Sequence, residues 1–472
     1  MTALHLRGDA VSIRDAAIDA VRPESLVPRR LTLAGDAILL DGAALEPPVT
    51  TAGRIVVVGG GKAAAGMAVA IESLLAPAIA AGHSVTGLVS VPVGCGMPLG
   101  HIEVLETRPP AVNLPTPATV AATRRMRAML AGLGPEDLAI VLVTGGGSAA
   151  IAEPRAGVSL DDKIAVTRAL AAAGAEIREL NVVRQALSVV KAGGLARGCT
   201  AGRLLAVVLS DVIGDPLESI ASGPCMPVAV TTEAVLDILR RYKALDAVPS
   251  VTRLLERDRA TSGDAASDAA ATDPLHPGAW ITRQGCRVSH VLLGTNATAV
   301  EAAASRARDL GYDVTVRQAK PGDSSADTVG IRLAHEAARL VAATRADGRP
   351  RAVVEGGESI VCLPPDHGLG GRNQQTVLAA LQAWREAAHL WPEELLIASI
   401  GTDGEDGPTD AAGGVVDATV AALLARGNDV PSVVARCDAY PALQAAGGLV
   451  CTGPTGTNVA DVRLILSRAS SH

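Results

Sequence analysis

A lysine that directly follows a run of glycines is the first feature of this sequence that could bind a charged ligand. Gly60, Gly61 and Lys62 end the apolar run IVVVGGGK and lead into the Ala-rich stretch AAAGMAVAIESLL. This pattern predicts a buried strand that turns into a helix, and the unpaired N–H groups of a helix N-terminus favour an anion. The loop therefore predicts a site for phosphate or carboxylate.

Two well-known phosphate loops fit this segment poorly. Its spacing matches the dinucleotide-binding pattern GxGxxA, but the next strand, SVTGLVSV, ends at Pro92 and Val93 without the acidic residue that would hold a ribose. It is not a P-loop, because Ala63 stands where Ser or Thr would bind Mg²⁺. The structural alternative is a tight turn in which Lys62 has no role.

A second glycine loop, formed by Gly145, Gly146, Gly147 and Ser148, follows the apolar run AIVLV and precedes another Ala-rich stretch. The carboxyl ends of the strands in a doubly wound sheet share one edge, so we expect both loops to face one ligand. Consecutive glycines also let the backbone approach a phosphate closely, which a Cβ would prevent. Glycines required only for packing between helix and strand are the alternative.

Polar and charged side chains recur farther along the same half of the chain. Arg184 and Lys191 share the segment NVVRQALSVVKAGGLA with Asn181 and Ser188, and helical spacing would put all four on one face. That face is either a binding surface or simply a solvated one. Asp211 follows the apolar run LLAVVL. We assign it to metal or hydroxyl binding, with a plain turn as the alternative.

The second half of the chain carries denser polar loops. Glu358 lies in the segment VVEGGES, and Arg372 and Asn373 open a helix in GGRNQ. We assign Glu358 and Asn373 to nucleotide or substrate binding. A cation at a helix N-terminus opposes the helix dipole, so we expect an anion beside Arg372. Asp403 and Asp406 belong to GTDGEDGPTD, in which four of ten residues are acidic. This density predicts magnesium or substrate binding, with an acidic surface turn as the alternative.

The last polar loop has the sequence TGPTGTN and is rich in hydroxyl groups and glycine. Hydroxyl and amide groups can donate hydrogen bonds to phosphate or carboxylate oxygens. We therefore assign Thr455, Thr457 and Asn458 to phosphate or substrate contact. Asp461 follows this loop.

Strands and helices alternate along the chain and would position these loops. Apolar runs that end in glycine and precede Ala-rich stretches are typical of buried parallel strands that feed helices. We predict an α/β fold with a Rossmann-like, doubly wound N-terminal domain over 1–245 and a second α/β domain over 283–472. Residues 246–282 are predicted to be a linker or mobile insertion, because much of this segment is Ala, Asp, Ser, Thr and Pro. The segment SIRDAAIDAVRP predicts an opening helix that Pro23 stops.

Bulk composition argues against several classes of protein. The chain has 472 residues, of which 48% are hydrophobic, and a net charge of −7. This composition is globular, and it makes nucleic acid an unexpected partner because nucleic-acid-binding proteins are basic. The seven cysteines are scattered without CxxC spacing and are predicted to be reduced. We find no secretory signal and no unbroken apolar span of about 20 residues, so we expect a cytoplasmic protein without membrane contact.

Together these motifs resemble the glycerate 2-kinase family of the MOFRL type. The strings that carry the resemblance are GGGKAAAGMA, TGGGSA, NVVRQALSVVKAGGLA, SDVIGDPLESIASGP, GGES, GGRNQ, GTDGEDGPTDAAGG and TGPTGTNVAD. The resemblance implies transfer of the γ-phosphoryl group of ATP to the 2-hydroxyl of D-glycerate with Mg²⁺, in a cleft between two domains. It implies active-site roles for Lys62 and Arg372. We add Asp211 to these catalytic residues, assign Asp403 and Asp406 to the metal, and leave a homodimer open.

One segment departs from the pattern of the family. Family members usually carry His-Pro-x-Pro-Asp before the second helix, whereas residues 108–119 read RPPAVNLPTPAT. This difference leaves the identity of the hydroxy acid open, and the general base is unassigned. Two other classes of function remain. The GxGxxA spacing favours an NAD(P)H-dependent reductase of hydroxypyruvate or tartronate semialdehyde, and the altered segment favours a non-catalytic sensor of phosphorylated acids.

Overall fold

The computed structural model describes residues 2–110, 112–261, 271–272, 279–320, 325–387, 390–427 and 429–469. The chain divides into two compact units. The first unit is Leu26–Leu293, and the second unit combines Met1–Ser25 with Gly294–His472. Each unit contains a mixed layer of helices and strands, so the predicted two-domain α/β fold is confirmed.

Helices account for much of the described part of both units. In chain order they are α1 (Thr2–Val21), α2 (Pro23–Arg30), α3 (Ala64–Leu74), α4 (Ala76–Ala80), α5 (Pro117–Ala131), α6 (Gly147–Ala150), α7 (Leu160–Ala172), α8 (Ile177–Ala186), α9 (Gly194–Arg197), α10 (Thr232–Arg241), α11 (Pro249–Thr261), α12 (Asn296–Asp309), α13 (Ala326–Asp347), α14 (Arg372–Glu386), α15 (Ala418–Gly427), α16 (Val430–Ala435) and α17 (Ala439–Ala446). A 3₁₀ turn spans Ile220–Ser222.

The strands of the described residues form three sheets. In chain order they are β1 (Leu31–Ala34), β2 (Ala37–Leu40), β3 (Ala43–Thr50), β4 (Ile55–Gly60), β5 (Val85–Pro92), β6 (Ile102–Arg108), β7 (Leu138–Val143), β8 (Arg203–Leu209), β9 (Ala271–Thr272), β10 (Trp280–Ile281), β11 (Arg287–Gly294), β12 (Asp313–Arg317), β13 (Arg351–Gly357), β14 (Leu395–Gly401), β15 (Gly413–Val416), β16 (Leu449–Val450) and β17 (Asp461–Ser467). Strands β1, β2 and β3 form a small sheet of their own.

The main sheet of the first unit has the order β6-β5-β4-β7-β8-β11-β10-β9. Strands β4 to β8 pair in parallel, and β4 and β7 are buried along their whole length, as their unbroken apolar sequences predict. The chain runs outward from β4 in one direction and from β7 in the other. Ligands of such sheets bind at the carboxyl ends of the strands where the order reverses. That position lies between β4 and β7.

The sheet of the second unit has the order β12-β13-β17-β14-β15-β16. Strand β17 is central and completely buried, and it runs antiparallel to both of its neighbours. Its first residue, Asp461, lies opposite Gly357 at the end of β13 and Gly401 at the end of β14. The ends of two strands and the start of a third therefore meet at one edge of this sheet.

Several helices and strands lie near the predicted ends of the two domains. The opening helix is confirmed, since α1 ends at Val21 and α2 begins at Pro23. Helix α1 belongs to the second unit, and β11 joins the sheet of the first unit. The predicted domain boundaries stay a prediction. Within the predicted linker, α11 extends to Thr261, and residues 262–270 and 273–278 lie outside the described residues.

The helical face predicted for Asn181, Arg184, Ser188 and Lys191 is wrong. Helix α8 ends at Ala186, so the last two of these residues are not on it. The Ser188 hydroxyl donates instead to the Glu153 carbonyl at 3.0 Å. The backbone of this segment also pairs with residues 153–155 instead of continuing the helix, since the Val189 N–H donates to the Glu153 carbonyl and the Arg155 N–H donates to the Leu187 carbonyl, both at 3.2 Å. Spacing alone did not reveal this long-range pairing.

Candidate active site

The two glycine loops meet at the carboxyl ends of β4 and β7. The Lys62 N–H donates to the Gly145 carbonyl at 2.8 Å. Gly61 has φ +135°, and a Cβ on it would stand 2.5 Å from Thr144 Cγ2. Glycine is thus required in the first loop by the close approach of the second. The two loops form one surface, and this surface lies where ligands of such sheets bind.

The second loop is followed by less helix than its sequence suggests. Helix α6 is one turn of four residues, Gly147–Ala150, so the predicted strand-to-helix design is not repeated here. A helix this short has little dipole, and anion binding at this loop has to come from backbone N–H groups and nearby cations. Gly146 adopts φ +75°, a left-handed conformation that glycine takes at little cost.

Two cationic side chains flank Gly146. A Cβ on this residue would stand 2.8 Å from Arg108 Nη2 and 3.5 Å from Lys62 Cγ. Lys62 is half-buried, whereas Arg108 is only 2% exposed and donates from Nη1 to the Val112 carbonyl at 2.9 Å. Residue type and spacing did not single out Arg108. The available signal was an arginine at the carboxyl end of a strand, as the first residue of the segment that departs from the family pattern.

Ser148 belongs to a chain of hydrogen bonds with two buried side chains. Its Oγ lies 2.8 Å from Ser222 Oγ, and Ser222 donates to Asn181 Oδ1 at 3.1 Å. Ser222 and the preceding Ala221 have φ +61° and +51°, which is unfavourable for residues that carry a side chain. Backbone strain of this kind concentrates at functional sites. Residue type and spacing did not single out Ser222.

Lys191 connects the second glycine loop to the strained turn. Its ammonium group donates to the carbonyls of Ile151 and Ala221, at 3.3 and 3.1 Å. The side chain is buried, and burial lowers its pKa well below the ordinary value. The structure therefore gives Lys191 a part in holding these two segments together. Its contact with nucleotide or substrate stays a prediction.

Lys163 and Arg184 add positive charge near Lys191. Burial, with a smaller contribution from Arg184, lowers the pKa of Lys163 to about 7. The Lys163 ammonium group lies 3.5 Å from the Arg184 carbonyl and 3.4 Å from the Leu187 carbonyl, and it donates to both. Burial also lowers the pKa of Arg184, which is half-buried. Binding of a ligand by Arg184 stays a prediction.

Asp211 directly follows Ser210 at the end of β8, the strand beside β7. It is half-buried, while Ser210 is buried and donates to the Val212 carbonyl at 3.2 Å. The carboxyl ends of β4, β7 and β8 thus carry Lys62, the second glycine loop and Asp211. This order along one sheet edge is what a doubly wound fold predicts for a binding site.

In the second unit, Arg372 is the centre of an ion network. Its Nε and Nη2 donate to the two oxygens of Asp461 at 2.8 and 2.9 Å, and its Nη1 donates to Glu358 at 3.0 Å. Burial opposes the charge of Arg372, but these carboxylates hold its pKa well above the ordinary value. Burial also raises the pKa of Glu358. The chain itself therefore supplies the anion expected beside Arg372. This anion is Asp461, to which the sequence pattern alone gave no role in the site.

Asp406 caps the helix that begins at Arg372. Its carboxylate accepts the backbone N–H groups of Asn373 at 3.0 Å and Gln374 at 2.8 Å. A carboxylate in this place satisfies helix N–H groups and complements the helix dipole. Burial raises the pKa of Asp406 to about 6. The Asn373 side chain donates to Asp461 at 3.1 Å and so joins the cap to the ion network.

The predicted metal ligands therefore differ in their surroundings. Asp406 has both carboxylate oxygens engaged by the helix, whereas Asp403 is half-buried and accepts the Glu405 N–H at 3.0 Å. In the part of the chain that the structure describes, no three His, Cys, Asp or Glu residues form a metal-binding group. Proteins often hold Mg²⁺ through one or two carboxylates together with phosphates of the substrate. The assignment of Asp403 and Asp406 to a metal stays a prediction.

The hydroxyl-rich loop before β17 is held by its own hydrogen bonds. Thr455 and Thr457 each donate at 2.6 Å to a main-chain carbonyl, those of Thr402 and Val21 respectively. Asn458 Oδ1 accepts a main-chain N–H at 3.3 Å. These bonds shape the loop, and direct contact of the three side chains with a ligand stays a prediction.

Known proteins resemble this chain along nearly its whole length. The model of a family described as Domain of unknown function (DUF4147) matches residues 9–256, and that of the MOFRL family matches residues 351–461. Glycerate 2-kinase of Pyrococcus horikoshii is 33% identical over 460 residues, which cover 97% of each chain. This chain belongs to the glycerate kinase family.

Two further relatives of this glycerate kinase family member bear on its function and fold. A putative hydroxypyruvate reductase of Agrobacterium vitis is 34% identical over 427 residues, which cover 89% of this chain and 88% of that protein. The crystal structure of a glycerate kinase from Thermotoga maritima superimposes with a TM-score of 0.76 at 32% identity, and the match covers 98% of this chain and 99% of that one. The family resemblance inferred from the sequence is confirmed. Among the described residues of this family member, none of the helices has the length and apolarity needed to cross a bilayer.

Proposed function

We propose that this member of the glycerate kinase family is a glycerate 2-kinase, which transfers the γ-phosphoryl group of ATP to the 2-hydroxyl of D-glycerate. The observation that carries the proposal is the similarity to the P. horikoshii glycerate 2-kinase along nearly the whole chain. Phosphoryl transfer depends on alignment and on neutralisation of charge more than on covalent chemistry by the protein. Glycine loops, fixed cations and carboxylates are suited to these tasks.

The first unit would supply phosphate-binding groups. Lys62, at the meeting point of the two loops, would neutralise negative charge that develops on the transferred phosphoryl group. The N–H groups of Gly145 to Gly147 would donate to phosphate or carboxylate oxygens. Lys191 would act through the backbone, since its ammonium group fixes the carbonyls of Ile151 and Ala221. Asp211 would orient the acceptor hydroxyl or a metal ion.

The second unit carries a further cation and several carboxylates. Asp461 is fully buried against Arg372, whereas Glu358 is 42% exposed, so Nη1 is on the accessible side of the guanidinium group. A ligand anion would meet Arg372 there, beside Glu358. Asp403 would help to hold Mg²⁺, which supplies positive charge between the phosphates when bound. Asp406 would keep the helix N-terminus in place. We retain a cytoplasmic location as part of the proposal.

Formation of ADP tests this proposal and separates it from the reductase alternative that the A. vitis relative favours. Purified protein is incubated with ATP, Mg²⁺ and D-glycerate, and ADP is measured through pyruvate kinase and lactate dehydrogenase. We expect ADP formation that requires D-glycerate. Oxidation of NADH on addition of hydroxypyruvate, without ATP and without the coupling enzymes, would instead establish the reductase.

A further inference from the structure

The hydrogen-bond chain at Ser148 has a direction that its chemistry determines. Asn181 Oδ1 can only accept, so the single hydroxyl proton of Ser222 is used in the 3.1 Å bond to it. The 2.8 Å contact between Ser222 Oγ and Ser148 Oγ must then use the proton of Ser148. Ser148 is left with lone pairs only. It can therefore accept a hydrogen bond from a ligand but has no proton to donate.

This direction decides which ligand group suits Ser148. Phosphate and carboxylate oxygens bound by a kinase at neutral pH are acceptors and cannot donate a proton to the serine oxygen. A hydroxyl group can. Ser148 is half-buried and lies in the second glycine loop, whereas Ser222 and Asn181 are buried. The hydrogen-bond chain thus has one acceptor atom, Ser148 Oγ, at its accessible end. The hydroxyl protons of Ser148 and Ser222 are used in bonds inside the protein.

The surrounding backbone holds this arrangement in one conformation. Lys191 donates to the carbonyl that follows the second loop and to the Ala221 carbonyl, so it ties together the segments that carry Ser148 and Ser222. The Gln185 side chain donates to the Ser222 carbonyl at 3.4 Å. The strained φ of +61° at Ser222 persists because these contacts over-determine it.

We propose that Ser148 is a specificity-determining residue that accepts a hydrogen bond from the 2-hydroxyl of the acceptor hydroxy acid. This inference rests on the proposed function, and it replaces phosphate with the reacting hydroxyl as the partner of Ser148. Ser222 and Asn181 act as positioning residues that keep the Ser148 proton directed inward. A 2-hydroxyl bound in this way is oriented, and an acid without that hydroxyl loses the bond.

Binding of three acids separates the possible partners of Ser148. D-Glycerate has both hydroxyl groups, 3-hydroxypropionate lacks only the 2-hydroxyl, and D-lactate lacks only the 3-hydroxyl. Isothermal titration calorimetry gives their affinities without turnover when ATP is absent. We expect the wild-type protein to bind D-glycerate about 5- to 100-fold more tightly than 3-hydroxypropionate, the range that corresponds to one lost hydrogen bond in a desolvated site.

Ser148→Ala should reduce this preference to within about twofold and leave the preference over D-lactate unchanged. The matched control is Ser73→Ala, because Ser73 is exposed and its hydroxyl donates within its own helix to the Val69 carbonyl. This control should bind all three acids as the wild type does. An unchanged preference over 3-hydroxypropionate in Ser148→Ala overturns the proposal. So does a lost preference over D-lactate, which would assign Ser148 to the 3-hydroxyl.

Two variants test the direction of the chain. Asn181→Asp keeps an acceptor next to Ser222 and should retain the preference for the 2-hydroxyl to within about threefold. Ser222→Ala frees the Ser148 proton and should lower that preference at least about threefold while thermal unfolding shows a folded protein. A Ser222→Ala variant that instead retains the full preference contradicts the positioning role.

Kinetic measurements distinguish failure of this inference from failure of the proposed function. If Ser148→Ala raises the KM for ATP and leaves both acid preferences unchanged, Ser148 binds phosphate and the inference is wrong, although the protein is still a kinase. If the wild type forms no ADP with D-glycerate, the proposed function is wrong. The calorimetric preferences then still report whether Ser148 recognises the 2-hydroxyl of a bound acid.

Discussion

Replacement of Arg372 by alanine tests the ion network of the second unit. The guanidinium group donates twice to Asp461, at 2.8 and 2.9 Å, and Asp461 is 0% exposed. Without Arg372, the buried carboxylate keeps a contact to Asn373 Nδ2 at 3.1 Å but loses its countercharge. Removal of one partner from a buried ion pair costs about 3 to 5 kcal/mol. We expect Arg372→Ala to lower the free energy of unfolding by that amount.

Urea unfolding followed by tryptophan fluorescence measures this loss, because Trp384 lies buried in the helix that Arg372 begins. With a slope of about 1 to 3 kcal/mol per molar urea, the midpoint should fall by about 1 M or more. Arg339→Ala is the matched control, since Arg339 is 74% exposed in its pair with Glu336. Such surface pairs contribute about 0 to 1 kcal/mol.

A double variant tests the cause of the destabilisation. Arg372→Ala with Asp461→Asn replaces the unpaired carboxylate by a neutral amide, which is less costly to bury. This double variant should be at least about 1 kcal/mol more stable than Arg372→Ala alone. If Arg372→Ala unfolds at the same urea concentration as Arg339→Ala, or if the double variant recovers nothing, the network does not stabilise the unit as described.

Three further changes test the first unit. Lys62→Ala should lower kcat about 10³-fold with D-glycerate and ATP, since cations of this kind contribute a factor of about 10³ to 10⁵ to the rate of phosphoryl transfer. Circular dichroism should show an unchanged fold. A kcat within about tenfold of the wild type would contradict the role of Lys62. Gly146→Ala should lose activity and at least about 1 kcal/mol in the free energy of unfolding, because φ of Gly146 is +75° and the new Cβ would stand 2.8 Å from Arg108 Nη2. A fully active variant would refute this loop geometry. The Lys163 pKa of about 7 lies below its ordinary 10.5, so between these values the unfolded state holds the extra proton and stability rises with pH. Lys163 should therefore make the free energy of unfolding rise by up to about 1.4 kcal/mol per pH unit in this range. Urea unfolding at several pH values should show that Lys163→Met removes this rise, whereas Lys320→Met, at an exposed position, retains it.

The sequence predicted the fold well because the evidence for it is local. Unbroken apolar runs mark β4 and β7 as buried strands, and the glycines after them mark the loops. The rule that carboxyl ends share one edge then places Lys62 beside Gly145, and the structure joins them by a hydrogen bond. A cation at the start of a helix likewise predicted an anion, which Asp461 provides.

The parts that the sequence did not reveal depend on contacts between distant segments. Arg108 reaches Gly146, and Ser222 reaches Ser148, from segments that are far away in the chain. The helical face through Lys191 failed because the backbone after α8 pairs with residues 153–155, which no local pattern records. The Asp406 carboxylate caps α14, although Asp406 lies far from this helix in the sequence.

The most direct test of the proposed function identifies the phosphorylated product. The wild-type protein is supplied with ATP, Mg²⁺ and D-glycerate, and the product is offered to enolase, which accepts 2-phosphoglycerate. We predict that phosphoenolpyruvate forms without phosphoglycerate mutase, and that Lys62→Ala abolishes the signal. Phosphoenolpyruvate that forms only when the mutase is added would mean transfer to the 3-hydroxyl, and would contradict the assignment as a glycerate 2-kinase.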